Sequence, residues 1–472
     1  MWWKILLVWV TFGCLAQASS TDCQVKKIIW TGEITETDEA LMADAVGKSC
    51  SEWQTFARNL ERYYENNGFI TARVTGSVYS SGILTVKLER GAAWVWAAAE
   101  NLDSSGTKID VFRRLSGLEP GAYVSVEDLE RADQKLSRIG YFEQMSNAKM
   151  FRDPSKNRIV PVFFMRAASL SEAEALLTYS STDGAWEGLI NVNLYNILGT
   201  ARDLSIEGYT GEDSRHLVAY YKEPWILGSP FNVVIRGNFD EETIVETSSV
   251  NDSAAQSESI ERLLYGEIGV TRELGFDFTI GVYFGLSDDD KHSTFEISYT
   301  TLDRFVLPRK GLRLNAHATY KMDRPDTLDN YLAATLDVQR YLPIYQNWIA
   351  RFSGSTGATF HSDAKLMRSD FFSLGGINSF KGMDYRFLRT RAYGYSEMAF
   401  LWQDGYNLSI EIFYQPGLYR AMRPEHGWKR EQDYGLALTQ YKRNWSVNLY
   451  YAMRNGCNYL DGILGVGVKT LF

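Results

Sequence analysis

The chain has 472 residues, a formal net charge of −9 and 14% aromatic residues, among them 28 Tyr and 13 Trp. Its mean hydropathy of −0.25 excludes a helical membrane protein, which needs long apolar runs. The acidic balance and the lack of a basic block argue against a nucleic-acid partner.

The opening MWWKILLVWVTFGCLAQASS has one lysine, an apolar run from Ile5 to Leu15 and the ending Ala16-Gln17-Ala18. This pattern predicts an export signal over residues 1–18, cleaved after Ala18. The apolar run is too short for a spanning helix. Cys23 and Cys50 flank one short segment, and their spacing leaves both a periplasmic disulfide and two free thiols open. The cysteines and the five histidines show no metal-ligand spacing, and no cofactor is expected.

Residues 23–168 alternate between strand and helix patterns. VKKIIWTG reads as a strand and TETDEALMADAVG as a helix. SEWQTFARNLERYYENNGF carries Trp53, Phe56, Leu60 and Tyr63/Tyr64 at helical spacing and stops at Asn67-Gly68. TARVTGSVYSSGILTVKLERG reads as a hairpin around Ser80-Ser81-Gly82. The order β-α-α-β-β then recurs. AWVWAAAE is a predicted strand, and KIDVFRRLSGLEPG and SVEDLERADQKLSRIGYF are predicted helices, the second capped by Ser125. A hairpin around Asp153-Pro154-Ser155 closes the unit. Two α+β units, 23–92 and 93–168, therefore form an internal repeat. Each carries a helix ending in glycine plus an aromatic, Gly68-Phe69 and Gly140-Tyr141. On these features the units resemble POTRA modules, the periplasmic domains of outer-membrane assembly factors.

From residue 172 to 472 strict alternation takes over. In GFDFTIGVYFG, Phe276, Phe278, Ile280, Val282 and Phe284 share one face, against Asp277, Thr279, Gly281 and Tyr283. WSVNLYYAM, GLRLNAHATY and ILGVGVKTLF repeat the pattern. Such a run predicts an antiparallel transmembrane β-barrel of about sixteen strands, apolar faces to lipid and polar faces to the lumen. The first strand is expected near EALLTYSS and the last at LGVGVKTLF. Gly465 and Gly467 in that last strand either weaken its packing or make room for a loop in the lumen.

Tandem POTRA-like units followed by such a barrel resemble the BamA/TamA superfamily of outer-membrane assembly and translocation barrels. NVNLYNILGTARDLSIEGYTG resembles the family's first barrel hairpin, with Ala201 where a glycine is usual. YKEPWILGSPF and LDRFVLPRKGLRLNA resemble segments that follow it. FFSLGGINSFKGM resembles the family's Gly-Gly-x-x-Ser-Val-Arg-Gly loop motif, so Gly375, Gly376, Ser379, Lys381 and Gly382 fill its positions. Lys381 stands where arginine is usual, and Met383 where an aromatic is usual. The resemblance implies a loop folded into the lumen, its basic tip on carboxylates of the wall. Alternation in YSEMAFLW and LSIEIFYQPG turns Glu397, Glu411 and Gln415 inward. Lys381 is therefore expected to pair with Glu397 or Glu411. The terminal Phe472 resembles the C-terminal aromatic that barrel assembly machinery reads.

No catalytic constellation appears, and an enzyme is not expected. The resemblance implies an assembly or translocation factor in the outer membrane, with the first two units in the periplasm. Its implied partners are the bilayer, unfolded outer-membrane or secreted clients and an accessory subunit. Two alternatives stay open: a two-partner-secretion transporter and a passive outer-membrane pore. The first usually carries a plug helix, for which the mature chain leaves no room before its first strand.

Overall fold

A computed structural model describes residues 25–471 apart from 33–45, 48, 154, 169–170, 181–185, 212–213, 251–252, 289, 305–306, 326, 361–364, 377–378, 385–386, 405–406, 422–426 and 443–444. The predicted signal segment, residues 35–45 of the helix predicted at TETDEALMADAVG, Cys23 and Phe472 lie outside these residues, as does the side chain of Cys50; Val46 and Gly47, which end that segment, form a turn. Cys457 is a free, exposed thiol. The chain divides into two units, one of residues up to 98 with 119–129 and 150–161, the other of 99–118, 130–149 and 162–472.

In the first unit, strands β1 (Lys27–Gly32), β2 (Arg73–Ser80) and β3 (Ile83–Glu89) form a sheet in the order β1-β3-β2. β1 runs parallel to β3, and β2 antiparallel. Helix α1 (Cys50–Asn66) starts where Glu52 Oε2 accepts from Ser49 N at 2.8 Å. Its Leu60 and Tyr64 pack on Ala72 and Leu88 of the sheet side. Strand β4 (Val95–Trp96) lies parallel to Arg158–Ile159.

In the second unit, β5 (Glu100–Asn101) lies parallel to Val162–Phe163. The predicted strand AWVWAAAE is thus two short pieces. Three residues lie between Trp96 and Glu100, whereas two lie between Ile159 and Val162, so one extra residue must bulge out of the pairing. Helix α2 (Ile109–Ser116) ends at Gly117, which takes the left-handed conformation at φ 72°. Its Phe112 meets Phe142 and Phe163 edge to face at 5.4 and 5.7 Å. Helix α3 (Val126–Arg138), β6 (Phe142–Asp153) and β7 (Arg158–Ala167) each belong to this unit in part, from 130, up to 149 and from 162. On α3, Asp133 is buried and accepts from Gln144 and from Ala148 N of β6. Burial pushes its carboxyl up to about 6.

The remainder of this unit is a barrel. Its strands are β8 (Glu172–Ser180), β9 (Trp186–Leu194), β10 (Asp203–Thr210), β11 (Ser214–Glu223), β12 (Phe231–Val250), β13 (Ser253–Leu274), β14 (Phe278–Ser287) and β15 (Lys291–Thr300). They continue as β16 (Gly311–Met322), β17 (Tyr331–Tyr345), β18 (Trp348–Thr359), a short β19 (Phe372–Leu374), β20 (Leu388–Gln403), β21 (Leu408–Ala421), β22 (Trp428–Lys442), β23 (Trp445–Arg454) and β24 (Ile463–Leu471). Each strand pairs antiparallel with the next, and β24 returns to β8, so sixteen strands close the ring and β19 only adds to β20. The outward positions are large and apolar, such as Val282, Phe284, Ile410, Ile412, Leu436 and Val466. The lumen holds the polar set together with aromatics such as Tyr283, Tyr393 and Tyr450.

Several lumenal aromatics face a glycine directly across the strand pair: Tyr283 on Gly269, Tyr393 on Gly357 and Tyr450 on Gly465. A Cβ at Gly465 would stand 1.9 Å from the Tyr450 ring. Gly465 therefore provides the seat of a neighbouring side chain, which neither sequence-based alternative for it had named. β12 and β13 pair all the way to Val250–Ser253, yet β11 stops beside Glu242 and β14 beside Tyr265. The hairpin beyond those points is a free two-stranded ribbon.

Candidate functional site in the barrel lumen

The connection between β18 and β20, residues 360–387, carries the glycine-rich motif. Gly375 takes φ 121° and Gly376 φ 84°, backbone that side chains rarely adopt. A Cβ at Gly375 would also fall 2.1 Å from the Asp384 carbonyl. Ser379 Oγ locks this turn, accepting from Gly375 N at 2.6 Å and donating to Gly375 O at 3.1 Å. The next residue, Phe380, is fully buried beside Tyr395 and over Gly417, where a Cβ would meet its ring at 2.4 Å. Met383 is buried in the same cluster with Leu374 and Tyr419.

These seats fix the tip. Lys381 Nζ lies 2.7 Å from Glu397 Oε2 and 3.6 Å from Glu411 Oε1, and 4.3 Å from the centre of the Phe413 ring. Arg351 of β18 contacts both carboxylates from the other side. Two cations thus face two carboxylates, largely buried, beside a lumenal cavity of about 350 Å³. The loop contributes a point charge, while the planar guanidinium comes from the wall. Gln415 explains its own departure from a carboxylate. Its amide donates to Ser379 O at 2.5 Å and accepts from Lys381 N at 3.2 Å, and a carboxylate can only accept. Gly382 N donates to Asp433 Oδ2 at 2.8 Å, and a Cβ on Gly382 would press on the backbone of Met453 and Arg454.

Residues 285–415 match the family model described as the Omp85 superfamily domain. The fold of CdiB from Escherichia coli superposes with a TM-score of 0.59 at 13% identity, covering 98% of this chain and 93% of that one. CdiB from Acinetobacter baumannii gives 0.58 at 12% identity, with 98% and 94% covered. BamA from Haemophilus ducreyi lacking POTRA domains 1–3 gives 0.47 at 14% identity, with 95% and 100% covered. The chain thus shares the fold of these barrels, and its stretch 285–415 matches the Omp85 superfamily domain.

The barrel holds the same loop a second time, nearer its root. Asp370 is buried and accepts from Lys321 Nζ and Tyr331 OH, each at 3.0 Å, from Met367 N at 2.8 Å, and from Arg324. Glu242 of β12 receives Arg368 through Nε and Nη2 at 3.0 and 2.9 Å, and Arg389 as well. The sequence reading missed Arg351, Phe380, Asp433 and this root cluster. Alternation alone turns Arg351 inward, because Phe352 beside it faces out. The pairing of Arg351 with residues 46 and 60 positions later needed the ring.

Proposed function

We propose that this chain assembles or translocates outer-membrane or surface proteins, with residues 23–92 and 93–168 acting as POTRA modules that collect client segments. The supporting observation is the loop tip seated inside the lumen on Lys381, Glu397 and Arg351. A passive pore needs a clear lumen, whereas here a loop fills part of it on contacts that ion exchange and water can release. The edge strands β1 and β2 of the first sheet offer backbone groups to an extended segment, the mode of β-augmentation. The barrel then offers its β24–β8 closure as the entry for a nascent strand.

Depletion of the protein followed by outer-membrane proteomics tests this. Several barrel or surface proteins are expected to fall together. Loss of a single exoprotein with an unchanged outer membrane would establish two-partner secretion instead. In the same strain, Lys381→Ala is expected to lower the temperature at which the barrel loses its compact gel mobility and to reduce client levels. Unchanged mobility and unchanged client levels would remove the loop from the mechanism.

A further inference from the structure

On its lipid-facing side the barrel has a hollow of about 580 Å³ across β17 to β22. Its floor is backbone at Gly354, Gly394 and Pro416, while Leu336, Val338 and Leu418 make its walls. Outward positions nearby on the same strands carry Phe352, Phe400 and Ile412, all exposed. Neither glycine is required by its surroundings. A Cβ at Gly354 would meet the Tyr395 carbonyl at 3.6 Å, and one at Gly394 the Thr356 side chain at 3.7 Å, both ordinary contacts. The β20–β21 ladder also lapses here, between Tyr395–Gly417 and Met398–Tyr414, and Pro416 has no N–H to give. The hollow is therefore an absence of side chains facing the membrane.

Two cations stand at its outer end. Arg430 lines the hollow opposite Leu418, and Arg420 lies opposite Trp428, so the two arginines are diagonal neighbours on one outward face. Among the described residues neither guanidinium has a hydrogen bond or an ion pair. Arg215 and Arg262, by contrast, both reach Glu241. The pair sits at the end of β21 and β22 that shares its side with the long β18–β20 loop and the β12–β13 ribbon. Long connections mark the extracellular end of such barrels. The lipid there belongs to the outer leaflet.

We propose that this hollow binds one acyl chain of a phosphorylated outer-leaflet glycolipid, with Arg420 and Arg430 holding its phosphate. The volume is that of an ordinary ligand site, the lining is apolar, and paired guanidinium groups match a phosphate in charge and geometry. The site does not depend on which clients the barrel handles.

The test uses the full-length protein in detergent, titrated with purified lipid A and, separately, with phosphatidylglycerol, and read by native mass spectrometry. One lipid A is expected to bind saturably, with phosphatidylglycerol much weaker. Arg420→Gln with Arg430→Gln is expected to weaken lipid A about thirtyfold. Gly394→Leu, which fills the hollow, is expected to abolish saturable binding while heat-modifiable mobility is kept; Gly354→Leu serves the same purpose if the first variant does not fold. Wild-type uptake without saturation, equal binding of phosphatidylglycerol, or variants that bind like the wild type would each overturn the proposal.

Discussion

Strands β8, β9 and β24 at the closure have 9 residues each, whereas β17, β20, β21 and β22 have 15, 16, 14 and 15. A tilted strand needs about 9–11 residues to span the apolar layer, so the closure sits at the minimum. It is held by an unbroken ladder from Leu471–Glu172 to Ile463–Ser180 and by Lys469 on Glu172 at 2.5 Å. The long-strand wall carries most of the tip's anchors instead: Glu397, Glu411, Gln415 and Asp433, with Arg351 on the adjoining β18. The barrel thus separates the place where it is shut by backbone from the place where side chains hold its loop.

Disulfides test that division most severely. Leu177→Cys with Val466→Cys joins directly opposed outward positions at the closure, and Ile412→Cys with Leu436→Cys does the same on the long wall. Oxidation of the first pair is expected to stop client assembly and that of the second to leave it intact; equal effects would merge the two walls. Arg351→Ala leaves Glu397 and Glu411 with one cation between them. It is expected to cost about 3–5 kcal/mol, read as a lower unfolding temperature by gel mobility. Gln415→Glu sets a carboxylate against the Ser379 carbonyl and is expected to cost about 1–3 kcal/mol in the same assay.

A gain is expected on the short-strand side. Ala201, between β9 and β10, is buried at φ 60°, where the resemblance places glycine. Ala201→Gly is expected to stabilise the protein by about 1 kcal/mol in denaturant unfolding. The smallest effect concerns neither wall. The folded-state pKa of Asp133, about 6, lies above its ordinary value of 3.8. Its protonated form therefore favours the native state at low pH, and that contribution is lost as pH rises from about 4 through 6. Asp133→Asn is expected to flatten this slope, measured as hydrogen exchange at Ala148 of β6.

Much of this was legible because a strand's alternation survives in any ring. Inward Glu397, Glu411 and Gln415 follow from their apolar neighbours without knowledge of the barrel. Which inward groups meet does not follow, since stagger and strand tilt set the heights of distant strands. Arg351 and Asp433 were hidden for that reason, and so was the service of Gly417 to Phe380. The two short pieces at Val95 and Glu100 escaped because a one-residue bulge leaves no mark in composition.

The β12–β13 ribbon has a consequence of another kind. Twenty residues of extended β12 reach roughly 65 Å, against an apolar band about 25 Å tall. On the orientation proposed above, the part beyond its neighbours stands clear of the bilayer on the cell's exterior. Its stretch from Thr243 to Ser259 is mostly hydroxyl, amide and acidic residues. That makes it an element of this barrel to offer to an antibody or a phage, and a place where an epitope tag would report surface display without touching the lumen.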